Sequence, residues 1–220
     1  MIKAVIFDMD GTLIDTEKYY RICWPMALKH FGYPMTDEQS LTMRSLGRPY
    51  AAEHLKRMFA DESLDYPAIR DYRKKLFDEM SEQKGIATKP GVKELLAFLE
   101  KKQVVRAIAT ATDLERTKKY LGQLHLLSHF EQIISATMVE RGKPAPDIYL
   151  YACRQLGLQP EECIAGEDSP NGVQSAYEAG CKVVMVPDQT QPDEELAKKL
   201  YACVEQLDDL IPFLEARGDV

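Results

Sequence analysis

Short apolar runs separated by longer stretches of helical periodicity are the feature that most limits what this chain can fold into. The runs fall at residues 3–7, 104–109, 133–135, 163–165 and 183–186. Between the later ones, residues 92–101, 114–121, 147–156 and 173–179 repeat their apolar positions at a helical spacing. Strands that alternate with helices build a parallel sheet covered on both faces, so the predicted class is α/β, a doubly wound parallel sheet. The alternation breaks after the first run, because residues 16–86 hold no convincing strand. They read as helices at 19–31, after the capping box Thr36-Asp37-Glu38-Gln39, at 51–59 and at 66–83. Pro25 is expected to kink or divide the first of these. Gly85 and Pro90-Gly91 mark the return of the α/β pattern. The expected organisation is therefore a core of residues 1–15 and 87–220, with a small helical domain of residues 16–86 inserted after the first strand. At 220 residues, 45% of them hydrophobic, the chain has ample material for such a core.

Ligands of open parallel sheets bind beyond the carboxyl ends of the strands. The first strand ends in Asp8-Met9-Asp10-Gly11-Thr12. Residues i and i+2 of a strand share a side, so Asp8 and Asp10 face one pocket, and Gly11 lets the chain turn away. Two carboxylates held that close call for a cation between them, or for chemistry that needs one charged and one protonated; the bland reading is an Asp-Gly turn. Three other strand ends supply further groups. Ile108-Ala109-Thr110-Ala111-Thr112 ends in hydroxyls: Thr110 is assigned to a phosphoryl oxygen, and Thr112 is read mainly as the cap of Thr112-Asp113-Leu114-Glu115. In Lys143-Pro144-Ala145-Pro146-Asp147 the prolines restrict where the ammonium can go, although a lysine before a helix is commonly a surface residue. In Gly166-Glu167-Asp168-Ser169-Pro170, Ser169 and Pro170 are explained as helix starters. Glu167 and Asp168 are not. Hard oxygen ligands of this kind suit magnesium.

The net charge of −7 and the lack of a basic run argue against a nucleic-acid partner. No run approaches the roughly 18 apolar residues of a membrane span, and no signal-peptide pattern is present, so a cytoplasmic location is expected. Five dispersed cysteines without CxxC read as reduced, mostly buried thiols. A monomer is the default expectation.

Asp8-Met9-Asp10-Gly11-Thr12, Thr110, Lys143-Pro144 and Glu167-Asp168-Ser169 resemble, in order, the four motifs of the haloacid dehalogenase superfamily. The resemblance covers essentially the whole chain. The position of the insertion is similar to the subfamily with a small helical cap, and Asp15-Thr16-Glu17, Lys143-Pro144-Ala145-Pro146-Asp147 and Gly166-Glu167-Asp168-Ser169 resemble its β-phosphoglucomutase and sugar-phosphate phosphatase branch. The resemblance implies a Rossmann-like core and a magnesium-dependent enzyme acting on a small phosphorylated metabolite. Asp8 would attack phosphorus to give an aspartyl-phosphate, and Asp10 would act as acid and then base. Magnesium would be held by the Asp8 side chain, the Asp10 main-chain carbonyl and Asp168, with Glu167 as a ligand or its support. Thr110, Ala111 and Lys143 would hold the phosphoryl oxygens. An acid at Asp10, where dehalogenating members lack one and ion-pumping ATPases have threonine, implies a phosphatase or a phosphomutase. Tyr20 stands where the mutases carry a cap histidine, which favours the phosphatase. Gly47-Arg48 is near a mutase pattern but out of register, and Arg48 reads equally as a substrate contact or a surface residue. Tyr20 and Trp24, one turn apart, are expected mainly to pack. Lys74 and Lys75 are expected to be solvated, and His125 and His129 to share a helical face. A non-catalytic binding protein on the same fold is the remaining alternative.

Overall fold

The computed structural model describes residues 1–219. The first strand, β1 (Ala4–Phe7), is followed by four helices, α1 (Glu17–His30), α2 (Asp37–Leu41), α3 (Tyr50–Phe59) and α4 (Tyr66–Lys84). Alternation then resumes with α5 (Val92–Lys101), β2 (Val105–Thr110), α6 (Leu114–Gln123), β3 (Gln132–Ser135), α7 (Asp147–Leu156), β4 (Cys163–Glu167), α8 (Pro170–Ala179) and β5 (Lys182–Met185). The short α9 (Glu194–Ala197), β6 (Ala202–Cys203) and α10 (Leu210–Arg217) complete the chain. All pairings are parallel, in the order β3-β2-β1-β4-β5-β6, so β1 lies centrally.

Strand alternation divides the core in two. Val5, Phe7, Ile108, Ile164 and Val184 face the layer made by α5, α6 and α10, where Leu95, Leu96, Leu99, Leu121 and Leu214 are buried. Ala4, Ile6, Ala107, Ala109, Ala165 and Val183 face the other layer, where α7 and α8 bury Ile148, Tyr149, Val173 and Ala176. Alanines on that face allow Tyr149 to approach the sheet closely. Helices on both faces make this the doubly wound α/β architecture expected.

The chain leaves the core after Ile14 and returns at Ala87. The two connections run side by side, since Asp15 N–H donates to the Ala87 carbonyl at 2.9 Å and Lys89 N–H to that of Leu13 at 2.9 Å. Between them α1 and α4 pack together, burying Tyr19, Tyr20, Cys23, Trp24, Ala27 and Leu28 of α1 and Ile69 and Phe77 of α4. Pro25 does not divide α1, which runs unbroken from Glu17 to His30, so of the two expected outcomes division is excluded. Its ring removes one ladder bond, but the buried face on either side keeps the helix continuous. His125 and His129 do not share a helix face. His125 stands just beyond α6 in the left-handed region (φ 57°), and His129 lies in a separate 3-10 turn. The five cysteines are free thiols, four of them buried. Among the described residues no helix is long and apolar enough to cross a membrane.

Candidate active site

The hydrogen-bond ladder between β1 and β4 runs one residue past the strand, because Asp8 N–H donates to the Gly166 carbonyl at 2.8 Å. That bond fixes Asp8 at the sheet edge beside the end of β4, while Met9 turns into the core. Gly11 then takes φ 84°, and a side chain there would collide with the Asp168 carboxylate and with Glu17. Glycine at this position thus gives the turn and the space for acids from two other elements.

Lys143, on the loop before α7, has no exposed side-chain surface. Its ammonium donates to Asp8 Oδ1 at 2.5 Å, Glu167 Oε1 at 2.6 Å and the Ala109 carbonyl at 2.9 Å, which commits all three protons. Burial alone favours the neutral amine, but the Asp8 and Glu167 carboxylates outweigh it and hold the pKa above its ordinary value. Tyr149 also donates to Glu167 Oε1, at 2.5 Å. Gly172 leaves room for that carboxylate, which a side chain would strike. Ser169 caps α8 through Gly172 N–H at 3.2 Å, with Pro170 in the first turn, as expected. Asp168 pairs with Arg44, which also donates to the Asp168 carbonyl at 2.9 Å and lies 3.8 Å from Glu17 Oε2.

Burial raises the Asp8 pKa well above the usual carboxylate range. Lys143 opposes this, and Glu167, Asp168 and Asp10 reinforce it. Burial likewise pushes Asp168 up to about 6 against the pull of Arg44, and Glu17 is raised by burial and by Asp168. Carboxylates this crowded lack positive charge. One oxygen each of Asp8 (Oδ2), Glu167 (Oε2) and Asp168 (Oδ1) is buried without a hydrogen-bond partner. Ligand oxygens of the same three residues lie within 4.8 Å of one another. Three clustered carboxylates, each with an oxygen left without a partner, fit a divalent cation of the magnesium type.

Asp10 is held differently. Its Oδ1 accepts from the Thr16 hydroxyl at 2.6 Å and its Oδ2 from the Thr112 hydroxyl at 2.7 Å. Burial raises its pKa, while those two bonds and then Arg116 and Arg73 lower it, leaving it above the ordinary value. Thr112 is therefore not the helix cap expected of it. Asp113 caps α6, accepting from Arg116 N–H at 3.1 Å, and the adjacent Thr112 is freed for the site. Thr110 is buried at the end of β2, where its hydroxyl oxygen accepts from Thr112 N–H at 3.0 Å. Ala111 lines the cavity above Asp8 and Asp10.

The four inserted helices supply the rest of the cavity wall. Tyr20 lines it, stacked on Phe77 with ring centroids 4.4 Å apart, and Trp24 stacks on Tyr66. Gly47 and Arg48 do not line it. Gly47 N–H donates to the Lys143 carbonyl at 2.8 Å, Gly142 N–H to that of Arg48 at 2.7 Å, and the Arg48 side chain is exposed, reaching only the Ala136 carbonyl at 3.4 Å. These two residues brace the loop of Lys143. Lys74 is not simply solvated either: it lines the cavity and pairs with Asp113 at 3.2 Å. Sequence reasoning missed Glu17, Arg44, Arg73 and Arg116 as site residues. Glu17 had a local signal in its position just after Asp15-Thr16, whereas the arginines had none.

Residues 5–186 match the haloacid dehalogenase-like hydrolase family. The chain is 30% identical over 219 residues to a phosphorylated carbohydrates phosphatase of Thermotoga maritima, covering 98% of this chain and 91% of the relative. It is 29% identical to hexitol phosphatase A of Escherichia coli, over 99% and 97% of the two chains. Among solved structures, CbbY from Rhodobacter sphaeroides in complex with phosphate superposes with a TM-score of 0.78 at 27% identity, covering 96% of each chain.

Proposed function

The chain belongs to the haloacid dehalogenase-like hydrolase family, and from that premise we propose that it is a magnesium-dependent phosphatase, hydrolysing small phosphomonoesters, foremost sugar phosphates, through an aspartyl-phosphate on Asp8. The observation that carries this reading is the partnerless oxygens of Asp8, Glu167 and Asp168, with Lys143 on one side of Asp8 and Asp10 two residues on. The sugar-phosphate preference is supported by what the relatives' names say they act on.

Asp8, Asp168 and the Asp10 main-chain carbonyl would hold magnesium, with Glu167 as ligand or support; when bound, the ion would neutralise charge on the phosphoryl group and align it with Asp8. Asp8 attacks phosphorus, the bond to the ester oxygen breaks, and Asp10 gives that oxygen its proton. Asp10 then takes a proton from water, whose oxygen attacks phosphorus and breaks the bond to Asp8, releasing phosphate. An Asp10 pKa above the ordinary value suits a group that must hold a proton in one step and lose it in the next. Lys143 has every proton committed before reaction. As the Asp8 carboxylate turns into the acyl end of the aspartyl-phosphate it loses its own charge, so its bond to Lys143 weakens and the ammonium can follow the charge onto a phosphoryl oxygen. Thr110, whose hydroxyl oxygen accepts from Thr112 N–H at 3.0 Å, and Ala111 would hold the phosphoryl oxygens together with Lys143.

Residues 16–86 form the cap in this reading, and residues 1–15 with 87–220 the core. Five free thiols suit the reducing cytoplasm. The phosphatase is preferred over the mutase because Tyr20, whose phenol is raised further from titration by burial, offers no proton shuttle where a histidine would.

Phosphate release from a panel of small phosphomonoesters with magnesium tests the reading. Asp8→Asn should abolish it while leaving the circular dichroism spectrum unchanged and unfolding cooperative, and undiminished turnover would sink the mechanism. With β-glucose 1-phosphate and a trace of the 1,6-bisphosphate, glucose 6-phosphate appearing faster than free phosphate would replace the phosphatase by a mutase.

A further inference from the structure

Six cations line the cavity: Arg21, Arg44, Arg70, Arg73, Lys74 and Arg116. Four are already neutralised. Arg21 pairs with Asp37, Arg44 with Asp168 and Glu17, Lys74 with Asp113 and Arg116 with Asp78. Arg70 and Arg73, one turn apart on α4, make no ion pair among the described residues, in contrast to Lys74 and Arg116.

Arg73 is fixed as well as uncompensated. Its guanidinium carbon lies 4.9 Å from the Tyr20 ring centroid and 4.7 Å from that of Trp24, and both rings are themselves anchored, by Phe77 and Tyr66. Contact with aromatic faces stabilises the cation and sets the plane of its donors. Its Nε is buried and has no hydrogen-bond partner. An arginine that merely covered aromatic surface would keep its head in water. Here the aromatic faces hold the head at the cavity wall, and its terminal nitrogens, which make no hydrogen bond or ion pair among the described residues, are the donors left for a ligand. The group of matching shape is a planar or tetrahedral anion offering two oxygens, a carboxylate or a phosphate.

The scissile phosphoryl group does not need these arginines, because Lys143, magnesium and the loop at Ala111 already serve it in the phosphatase reading. We propose that Arg73, supported by Arg70, is a second anion subsite, and that the preferred substrate is a phosphomonoester carrying a further carboxylate or phosphate. The proposal rests on the phosphatase reading and adds the substrate class to it. Arg73 is then the residue that sets specificity.

Matched substrate pairs test it. Glycerol 3-phosphate against 3-phosphoglycerate adds a carboxylate, and glucose 6-phosphate against glucose 1,6-bisphosphate adds a phosphate. In at least one pair, kcat/KM should be tenfold or more higher for the member with the second anion, and the pair that shows this names the anion. Arg73→Gln should reduce that ratio at least tenfold. Arg73→Lys, which keeps the charge and loses the fork, should give an intermediate ratio and also serves if the glutamine variant folds poorly. A ratio near one in both pairs for the unaltered protein overturns the subsite. So does a ratio that Arg73→Gln leaves intact, or an equal loss on both members of the pair, which would mean that Arg73 acts on the reacting groups rather than on a distal anion. Phosphate release without preference would refute the subsite alone, whereas no release from any phosphomonoester would refute the phosphatase and the subsite together.

Discussion

Asp8 and Asp10 are two residues apart on one strand end, yet their surroundings give them opposite electrostatic roles. Asp8 lies among carboxylates that raise its pKa beyond the effect of burial, and a cation relieves it. Asp10 lies between two hydroxyls that temper the effect of burial. Thr112→Val removes one of the bonds that lower the Asp10 pKa, so that pKa should rise and the pH profile of kcat should move to higher pH. At pH 7 the step that needs Asp10 as a base should slow, by roughly three- to tenfold for one lost charge-assisted bond. A profile unmoved by the substitution would remove Thr112 from the mechanism. Asp168, held at about 6 by burial, gives a second pH effect. Proton and cation compete for its oxygens, and only the ionised form binds metal. Magnesium affinity should therefore weaken as the pH falls through 6, by roughly tenfold per unit or more, since the raised Asp8 carboxyl must also give up its proton to the ion. Calorimetric titration at pH 5, 6 and 7.5 measures this directly. At this scale the sequence was legible wherever spacing along one element placed the group, as for Asp8, Asp10 and Glu167 with Asp168. It was misleading where two neighbours competed for the same position, since Thr112 and Asp113 both match a cap and only the hydrogen bonds separate them.

Elements bring the site together through close backbone approaches more than through side chains. The loop between α2 and α3 meets the loop of Lys143 at Gly47 and Gly142, where a side chain on either glycine would run into the other's backbone. Backbone cannot yield as a flexible side chain does. Gly47→Ala should therefore force the two loops apart, cost about 1–3 kcal/mol of stability and displace Lys143 from Asp8. The expected result is a tenfold or greater fall in kcat in a protein that still melts cooperatively; a fall in melting temperature with kcat intact would limit these glycines to packing. Five of the six strands were readable as apolar runs. The sixth, Ala202–Cys203, is two residues long and carries no run to read. The insertion was readable as helices, and division of its first helix was one expectation at Pro25 because local propensity was weighed without the buried face of Tyr19, Cys23, Trp24 and Ala27 that keeps it continuous. Arg44 had no local mark at all. It meets Asp168 across 124 residues of sequence, through a loop that Asn171 holds by its carbonyl at 2.9 Å, and only the folded chain makes that contact.

On the scale of the whole molecule, the inserted helices and the sheet meet over an unbalanced set of buried charges. Asp8, Glu17, Glu167 and Asp168 face only Lys143 and Arg44 as buried cations. Buried carboxylates that lack a counter-charge lower the stability of the fold that encloses them, so the fold and the catalytic apparatus are linked through the positive charge that these carboxylates lack. A ligand that binds the folded chain and not the unfolded one stabilises it by mass action. Magnesium at about 100 times its dissociation constant should contribute roughly 2.7 kcal/mol, which for a chain of this length raises the melting temperature by about 5–10 °C. Chelation should reverse the rise. In Asp168→Asn the amide leaves one fewer repelling charge, so the metal-free protein should melt at or above the unaltered one, unless the lost pair with Arg44 outweighs the gain; in either case the response to magnesium should be largely lost. The response, rather than the absolute melting temperature, is the deciding quantity. A full magnesium response in Asp168→Asn would move the ion away from the carboxylates of Asp8, Glu167 and Asp168, and with it the reason for reading their partnerless oxygens as a metal site.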